Sequence, residues 1–235
     1  MVAQISYLGV KSGISIPDIK GNSEQSEGYT SREAFFSGVF FGKKISKHLI
    51  LQTELNFSPQ GGKRNGIQPI SKDALTGISV PEDIKLYAEF NNKTILNYAE
   101  LPVLVRMNFQ PSKLFNYYGF LGPYISRLMK AQTVTSGTSV IYMDAERKIP
   151  LSLPDGTEFP PVSFDSKTNI RGDIKKINAG VTGGIGMEYV LWNGKILLEG
   201  RFTKGLTNIQ TNTTVNGKNQ TGSLIAAIGY AFSIY

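Results

Sequence analysis

The chain has 235 residues, no cysteine and a formal net charge of +7. The lack of cysteine excludes disulfide bonds, thiolate metal sites and a cysteine nucleophile. Hydrophobic residues make up 40% of the chain, which excludes a disordered protein, and the basic residues are scattered without the dense run typical of nucleic-acid binding. The 25 glycines, 13 Phe and 11 Tyr favour a β protein with many turns.

The sequence has no apolar run of about eighteen residues, the length that a transmembrane helix needs. It also lacks the charged and apolar regions of a signal peptide. A predicted strand begins almost at the first residue. We therefore expect that a signal peptide has been removed from a longer precursor.

Eight segments alternate apolar and polar residues with the period of two that is typical of β-strands. Pro17 is predicted to end the first strand, and Asn193–Gly194 is predicted to supply the positive φ angles of a tight hairpin turn. No segment has a convincing helical pattern. The predicted strands are Ile5–Ile16, Ala34–Ile45, His48–Phe57, Thr94–Phe109, Tyr117–Ala131, Lys175–Leu191, Lys195–Lys204 and Ser223–Tyr235.

The fourth predicted strand has two unlike faces. Leu101, Val103 and Val105 lie in an entirely apolar row, whereas Glu100 and Arg106 lie in the opposite row. A soluble barrel would bury the apolar row, but a membrane barrel would turn it towards lipid and enclose the charged row. The two faces alone therefore do not distinguish a soluble barrel from a membrane barrel.

The connections between predicted strands alternate between long and short along the whole chain. In an up-and-down barrel, consecutive connections lie at opposite ends, so all the short ones share one end. Transmembrane barrels have this asymmetry together with an even number of strands. The sequence therefore predicts an all-β fold in which residues 1–235 form a single domain, an eight-stranded antiparallel up-and-down transmembrane β-barrel.

Seven charged residues fall in the predicted inward rows of the strands. Side chains just fill the interior of an eight-stranded barrel, and buried charges of both signs must pair. We therefore predict a plugged interior with one structural charge network, with Arg127 as a further candidate and inward glycines that leave room for the long side chains. The predicted members are Lys11, Glu54, Glu100, Arg106, Glu188, Glu199 and Arg201.

Aromatic residues near the predicted strand ends fit the belts that membrane proteins place at the two membrane interfaces. The candidates are Tyr7, Phe57, Phe109, Tyr117, Tyr189, Trp192 and Phe232.

Candidate catalytic residues are few. His48 is the only histidine, so a histidine triad or a histidine-rich metal site has no second member. Glu54 and Glu100 are candidates for a pair of acid and base catalysts, but their positions in mid-strand favour ion pairing in a filled interior. The cluster Gly183–Gly186 lacks the following helix that a phosphate-binding loop requires.

The longest predicted loop carries scattered acidic residues. Their spacing lacks the density of a calcium-binding loop, so solvated surface charge is the favoured interpretation. These residues are Asp144, Glu146, Asp155, Asp165 and Asp173. We expect no metal and no cofactor.

Two stretches carry a family resemblance, Leu51–Lys63 (LQTELNFSPQGGK) and Asn97–Arg106 (NYAELPVLVR). Over nearly its whole length the chain resembles the PorT-like outer-membrane β-barrel family of Bacteroidetes-type bacteria. The resemblance implies an eight-stranded barrel in the outer membrane of a Gram-negative bacterium, with the long loops facing outside. It assigns no catalytic site.

We expect a monomeric, non-enzymatic barrel in the lipid bilayer of the outer membrane, without a nucleic-acid partner. The long loops are where a protein or glycan would bind, and the role would lie in envelope structure, surface binding or assembly of a secretion complex. The alternatives are an outer-membrane lipid-modifying enzyme on the same fold and a soluble lipocalin-like barrel that binds a small ligand.

Overall fold

The computed structural model describes residues 6–21, 28–70, 84–110, 112–153 and 155–234. The chain divides into two compact units. The first unit contains residues 1–62, 95–131 and 170–235, and the second contains residues 63–94 and 132–169. The two predicted strand ends at Ile5 and Tyr235 lie outside the described residues.

The first unit is a closed β-barrel. Eight antiparallel strands form a hydrogen-bonded ring in the order β1-β2-β3-β6-β7-β12-β13-β14, and β14 pairs again with β1. The strands are β1 (Ser6–Gly21), β2 (Ala34–Lys44), β3 (Leu49–Arg64), β6 (Asn91–Phe109), β7 (Phe115–Ser136), β12 (Ile177–Leu191), β13 (Gly194–Gly205) and β14 (Asn219–Ile234). The predicted eight-stranded barrel is confirmed.

The first strand runs past the residue that was predicted to end it. β1 continues through Pro17 to Gly21, because Pro17 lies opposite Ser223 of β14 and beyond Ser15, the last residue of β1 that pairs with β2. A proline is tolerated where one side of a strand needs no ladder hydrogen bond. The carbonyl oxygen of Pro17 still accepts a hydrogen bond from the backbone N–H of Arg32, at 3.2 Å.

The short connections share one end of the barrel. They are residues 45–48, 110–114 and 192–193, and the pairing of Ser6 with Ile234 places the first and last strands together at that end. The turn between β12 and β13 differs from its prediction. The positive φ, 54°, belongs to Trp192 rather than to Asn193 or Gly194. A positive φ at the first of two turn residues is the pattern of a type II′ turn.

The apolar rows of the barrel strands face outward. In β6, Leu101, Val103 and Val105 are exposed, whereas the alternate residues Glu100 and Arg106 are buried. The same alternation runs along β1 and the other barrel strands. This is the arrangement of a transmembrane barrel, and the soluble lipocalin-like alternative, which needs the opposite faces, is wrong.

The second unit contains secondary structure where the sequence predicted only polar loops. A three-stranded sheet has the order β4-β5-β9, β10 pairs with β8, and β11 pairs with the last residues of β7. The strands are β4 (Ile67–Ile70), β5 (Leu86–Glu89), β8 (Thr138–Ser139), β9 (Ile141–Tyr142), β10 (Val162–Ser163) and β11 (Ser166–Asn169). The apolar segments of this sheet are short and lie between prolines and glycines, so the alternation of apolar and polar residues did not reveal them as strands.

The second unit has a small apolar core of its own. Leu86, Ile141 and Leu151 are buried together, and partly buried side chains such as Phe159 and Val162 pack against them. Phe90 and Phe164 stack in parallel with their ring centroids 4.6 Å apart.

One short helix, α1 (Thr213–Asn216), lies in the connection between β13 and β14. None of the helices in the described ranges has the length and apolar character needed to cross a membrane.

Candidate functional site

The interior of the barrel holds the charged residues that the sequence analysis singled out. Each of the seven is at most 4% exposed, although the strands that carry them are far apart in the chain. They lie on β1 (Lys11), β3 (Glu54), β6 (Glu100 and Arg106), β12 (Glu188) and β13 (Glu199 and Arg201).

The central cluster consists of four of these residues. Lys11 Nζ lies 2.8 Å from Glu54 Oε1 and 3.1 Å from Glu199 Oε1. Arg201 donates to both oxygens of Glu54, at 2.7 and 2.8 Å, and its Nε donates to Glu199 Oε1 at 2.9 Å. The two cations and two anions balance, as burial in a low-dielectric interior requires.

Neutral side chains complete the hydrogen bonding of Glu54. Gln52 Nε2 donates to Glu54 Oε1 at 2.6 Å, and Asn56 Nδ2 donates to Glu54 Oε2 at 2.8 Å. All three residues lie on β3 at spacings of two, so they share the inward face of one strand. Glu54 is therefore held by four donating side chains and has no accessible oxygen.

A second cluster lies nearer the short-turn end. Arg106 Nη2 lies 2.5 Å from Glu188 Oε1, and Arg106 Nε donates to Asn108 Oδ1 at 2.8 Å. Glu188 Oε2 accepts hydrogen bonds from Asn116 Nδ2 at 3.0 Å and from Lys195 Nζ at 3.3 Å. Glu188 is thus shared by one buried arginine and one partly exposed lysine.

Tyr118 joins the two clusters. The guanidinium carbon of Arg106 lies 3.6 Å from the centroid of the Tyr118 ring, and the Tyr118 hydroxyl donates to Glu199 Oε2 at 3.4 Å. The arrangement is therefore two ion-pair clusters linked through a tyrosine rather than one continuous chain of ion pairs. The sequence analysis missed Tyr118, although its position in an inward row of an aromatic strand was a usable signal.

Inward glycines make room mainly for aromatic rings. A Cβ atom at Gly42 would overlap the ring of Tyr7, and one at Gly186 would overlap the ring of Tyr118. The prediction was that these glycines leave space for the long charged side chains. The reason for the difference is that each glycine lies directly across from an inward ring on the neighbouring strand.

Glu100 lies apart from both clusters. It is buried and makes no ion pair with any described residue, and its Oε1 has no hydrogen-bond partner there. Glu54 and Glu100 therefore do not form an open pair of carboxylates around a substrate space.

Two smaller predictions about side-chain direction are wrong. Arg127 is exposed on the outer face and cannot join the interior network, because it falls in the outward row of β7. Tyr7 was predicted for an interfacial belt but is buried, and its hydroxyl donates to Gln52 Oε1 at 3.3 Å. By contrast, Trp192 and Phe109 are exposed near the strand ends, as belt residues would be.

The interior changes character towards the long-loop end. Hydroxyl and amide side chains come first: Asn178 Nδ2 donates to Thr221 Oγ1 at 3.0 Å, and Thr203 and Ser223 share a hydrogen bond of 2.7 Å. Beyond this layer lies a buried apolar cluster. Its members are Ile19, Leu96, Tyr98, Leu128, Ala131, Ile174 and Ile209.

Arg32 lies in the connection between β1 and β2 and is buried. Its Nη2 donates to the carbonyl oxygen of Gln60 at 2.7 Å. Burial lowers the pKa of the Arg32 guanidinium below its ordinary value.

A cavity of about 390 Å³ opens at the short-turn end of the barrel. Its walls include Tyr7, His48, Asn116 and Glu188, together with several lysines. His48 is exposed, and its Nδ1 lies 3.3 Å from the carbonyl oxygen of Asn108. The sequence analysis treated His48 as a histidine without a second member for a site and did not connect it with these lysines.

The acidic residues of the longest connection serve local turns. Asp144 Oδ1 accepts hydrogen bonds from the backbone N–H groups of Lys148 and Ile149, at 3.1 and 2.7 Å, and these bonds hold the pKa of Asp144 below its ordinary value. Asp155 accepts from the hydroxyl and backbone N–H of Thr157, which likewise lowers its pKa. Within the described ranges, no group of three or more His, Asp or Glu residues could hold a metal ion.

Comparison with known proteins identifies the family to which this chain belongs. The family model described as an outer membrane protein beta-barrel domain matches residues 2–210. A search of curated proteins gave no match.

The solved structures that match this chain include several outer-membrane proteins of low sequence identity. OprG of Pseudomonas aeruginosa has 11% identity and a TM-score of 0.42, with 97% of this chain and 96% of that chain covered. The attachment invasion locus protein Ail of Yersinia pestis, solved with the heparin analogue sucrose octasulfate, has 10% identity and a TM-score of 0.39 over 97% and 99% of the two chains. Neisserial surface protein A has 14% identity and a TM-score of 0.38 over 94% and 95%.

The family model spans most of the chain, and the apolar rows of the barrel face outward. The protein belongs to the outer membrane protein beta-barrel domain family and resides in the outer membrane of a Gram-negative bacterium.

Proposed function

We propose that the protein is a non-enzymatic, monomeric outer-membrane barrel with a plugged interior, and that its long external loops bind a protein or glycan at the cell surface. The observation that carries this proposal is the filled interior. Paired charges occupy the middle of the barrel, around Glu54 and Arg201.

The apolar cluster towards the long-loop end adds a second obstruction. Leu96, Leu128 and Ile209 are each at most 1% exposed and pack together inside the barrel. An ion that crossed the barrel would have to displace this cluster and separate the Arg201–Glu54 pair, both of which are costly. The interior charges then have a structural role.

The same burial supports the absence of an enzyme activity. A general acid or base needs access to the atom whose proton it transfers. Glu54 is fully hydrogen-bonded to its neighbours, and Glu100 is enclosed on the inward face of β6. His48 is the only histidine of the chain and has no carboxylate partner among the described side chains.

The second unit supports a binding role for the long connections. Two connections, one before β6 and one after β7, together contain a three-stranded sheet and an apolar core around Ile141. A fixed surface of this kind lowers the entropy cost of binding. The resemblance to the PorT-like family makes a protein of a secretion complex one candidate partner. Membership of that particular family is part of the proposal.

Reconstitution in a planar lipid bilayer tests the plugged interior. We expect no stepwise ion conductance from protein whose gel mobility changes on boiling, which is the sign of an intact barrel. Reproducible conductance steps from the same material would overturn the plugged interior. Labelled phospholipid incubated with the barrel should remain unchanged in mass, and a processed product would establish the enzyme alternative.

Loop replacement tests the binding role. A variant in which residues 65–90 and 137–169 are replaced by short turns should keep the gel-mobility change on boiling but lose binding on a glycan array and crosslinking to surface proteins in cells. Equal binding by the intact and the loop-replaced barrel would contradict the proposal.

A further inference from the structure

The cavity at the short-turn end is unusually basic. Lys44 ends β2, Lys47 and His48 lie in the turn after it, Lys113 lies in the turn before β7, and Lys195 is the second residue of β13. Four lysines and the histidine thus reach one cavity from three separate connections. Convergence of this kind follows from barrel closure, because the short turns of distant hairpins meet at one end.

Glu188 is the one acidic residue among the described wall residues of the cavity, and its charge is already paired. Glu188 pairs with Arg106 at 2.5 Å and with Lys195 at 3.3 Å. Lys44, Lys47 and Lys113 make no ion pair with any described residue. The described part of the cavity therefore carries an excess of positive charge that nothing in its walls compensates.

Asn116 also lines the cavity and is 7% exposed, and its Nδ2 donates to Glu188 Oε2 at 3.0 Å. Both carboxylate oxygens of Glu188 are therefore engaged by protein groups, since Arg106 lies against Oε1.

The volume suits a small molecule. About 390 Å³ is within the range of roughly 300–1,000 Å³ that is usual for ligand sites. Lysine ammonium groups are mobile point charges that pair well with phosphate oxygens and carboxylates. The confined, partly apolar walls, which include Tyr7, Ile50 and Phe115, strengthen such pairing relative to open water.

We propose that this cavity is a binding site for a phosphate- or carboxylate-bearing molecule that reaches the barrel from its short-turn side. Lys47 and Lys113 supply the charge that binds the anionic group of the ligand. Two sources share this chemistry, a soluble phosphorylated or carboxylated compound and the headgroup of a membrane phospholipid. The site is independent of the long loops, so it can stand if the proposed surface binding fails.

The test uses the full-length barrel and the double variant Lys47→Gln, Lys113→Gln. Both residues lie in turns outside the strand ladder, so the gel-mobility change on boiling should be kept. Lys20→Gln is the matched control, because Lys20 is an exposed lysine of β1 near the opposite end. The first arm titrates pyrophosphate into protein held in a phosphate-free maltoside detergent and follows Lys and Asn side-chain signals by NMR.

In this first arm we expect saturable binding with a dissociation constant on the order of 1 mM. The double variant should weaken it by about tenfold, since it removes two charge-assisted contacts, whereas the control should leave it unchanged. The second arm uses native mass spectrometry of protein extracted from vesicles of mixed phosphatidylglycerol and phosphatidylcholine. Selective loss of bound phosphatidylglycerol in the double variant assigns the site to a lipid headgroup.

The outcomes separate cleanly. Saturable pyrophosphate binding that depends on Lys47 and Lys113 supports a soluble ligand, and variant-dependent phosphatidylglycerol binding supports a headgroup. The proposal is overturned if neither probe distinguishes the double variant from Lys20→Gln, including the case in which both bind weakly and without saturation. A loss of binding by Lys20→Gln equal to that of the double variant also overturns it, since the effect would then follow net charge alone.

Discussion

The two units of this chain differ in whether they bury charged side chains. In the barrel, Lys11, Glu54 and Arg201 are buried while the apolar row of β6 is exposed. In the second unit the core is apolar, none of the described charged residues is buried, and the ion pair Arg147–Glu89 lies on the surface with the two side chains 52% and 53% exposed. One chain therefore buries charge in one unit and keeps the described charges of the other at the surface.

The difference shows that the surroundings decide which pattern is stable. In water, apolar side chains gain by leaving the solvent, so the second unit has an apolar core. A strand surrounded by lipid gains nothing from turning apolar side chains inward, and its polar side chains must find partners inside the barrel. The ion pairs thus hold the middle of the barrel, next to the apolar cluster around Leu96, whereas the surface pair Arg147–Glu89 contributes little.

The largest expected effect comes from breaking the central cluster. Arg201→Ala would leave Glu54 and Glu199 with Lys11 as their one remaining cation in that cluster, so we expect the free energy of unfolding to fall by about 3–5 kcal/mol. Urea unfolding in lipid vesicles, followed by gel mobility, measures it. Arg127→Ala, on the exposed row of β7, is the control. A loss of a few tenths of a kcal/mol for Arg201→Ala would mean that the cluster is not a structural core.

The outward face of β6 provides the next test. Val103→Arg places a charge in the middle of the exposed apolar row and should cost about 2–4 kcal/mol in a bilayer. The same change at Phe109, at the end of the strand, should cost about 0–1 kcal/mol because the side chain reaches the interface. Equal costs at both positions in vesicle unfolding would show that this row does not cross the hydrocarbon.

A smaller effect is expected in the second unit, where burial follows the rule for water. Ile141 is 0% exposed, so Ile141→Val should lower the local stability of this unit by about 0.5–1.5 kcal/mol. Amide hydrogen exchange of β5 and β9 measures the change. Ile149→Val is the matched control, since Ile149 is 50% exposed, and an equal effect there would mean that the core around Ile141 is not formed.

The smallest effect concerns pH in the same unit. Hydrogen bonds from Lys148 and Ile149 hold the pKa of Asp144 below its ordinary value. The turn is therefore fully stabilised above the ordinary aspartate pKa and loses that stabilisation as the pH falls through the lowered pKa. The amide NMR signals of Lys148 and Ile149 should shift in that acidic window, and Asp144→Asn should abolish the titration. A midpoint at or above the ordinary pKa would contradict the assigned bonds.

The periodicity of the sequence predicted the barrel because a strand has a side-chain period of two whatever surrounds it. Two patterns were enough to predict the positions of eight strands. They are the apolar residues at every second position, such as Leu101, Val103 and Val105, and the alternation of loop lengths. Strand ends were less predictable. β1 continues past Pro17 because its pairing with β2 ends at Ser15. The pairing of strands determines this, and the local sequence does not show it.

The sequence also identified which charged residues face inward, but it could not assign their partners. Lys11 and Glu199 are 188 residues apart and meet only because the ring closes with one particular register. Three further features depend on that same register. They are the separation of Glu100 from both clusters, the link through Tyr118 and the cavity shared by His48 and Lys113.

By itself, then, the sequence determined the eight strands, their two faces and the end that carries the short turns, since each of these follows from local alternation and loop length. The tertiary structure alone decided which ions pair, which glycines lie against rings, and that the longest connections contain a folded unit with an apolar core. These features join residues far apart in the chain, and only strand register and closure bring such residues within contact distance.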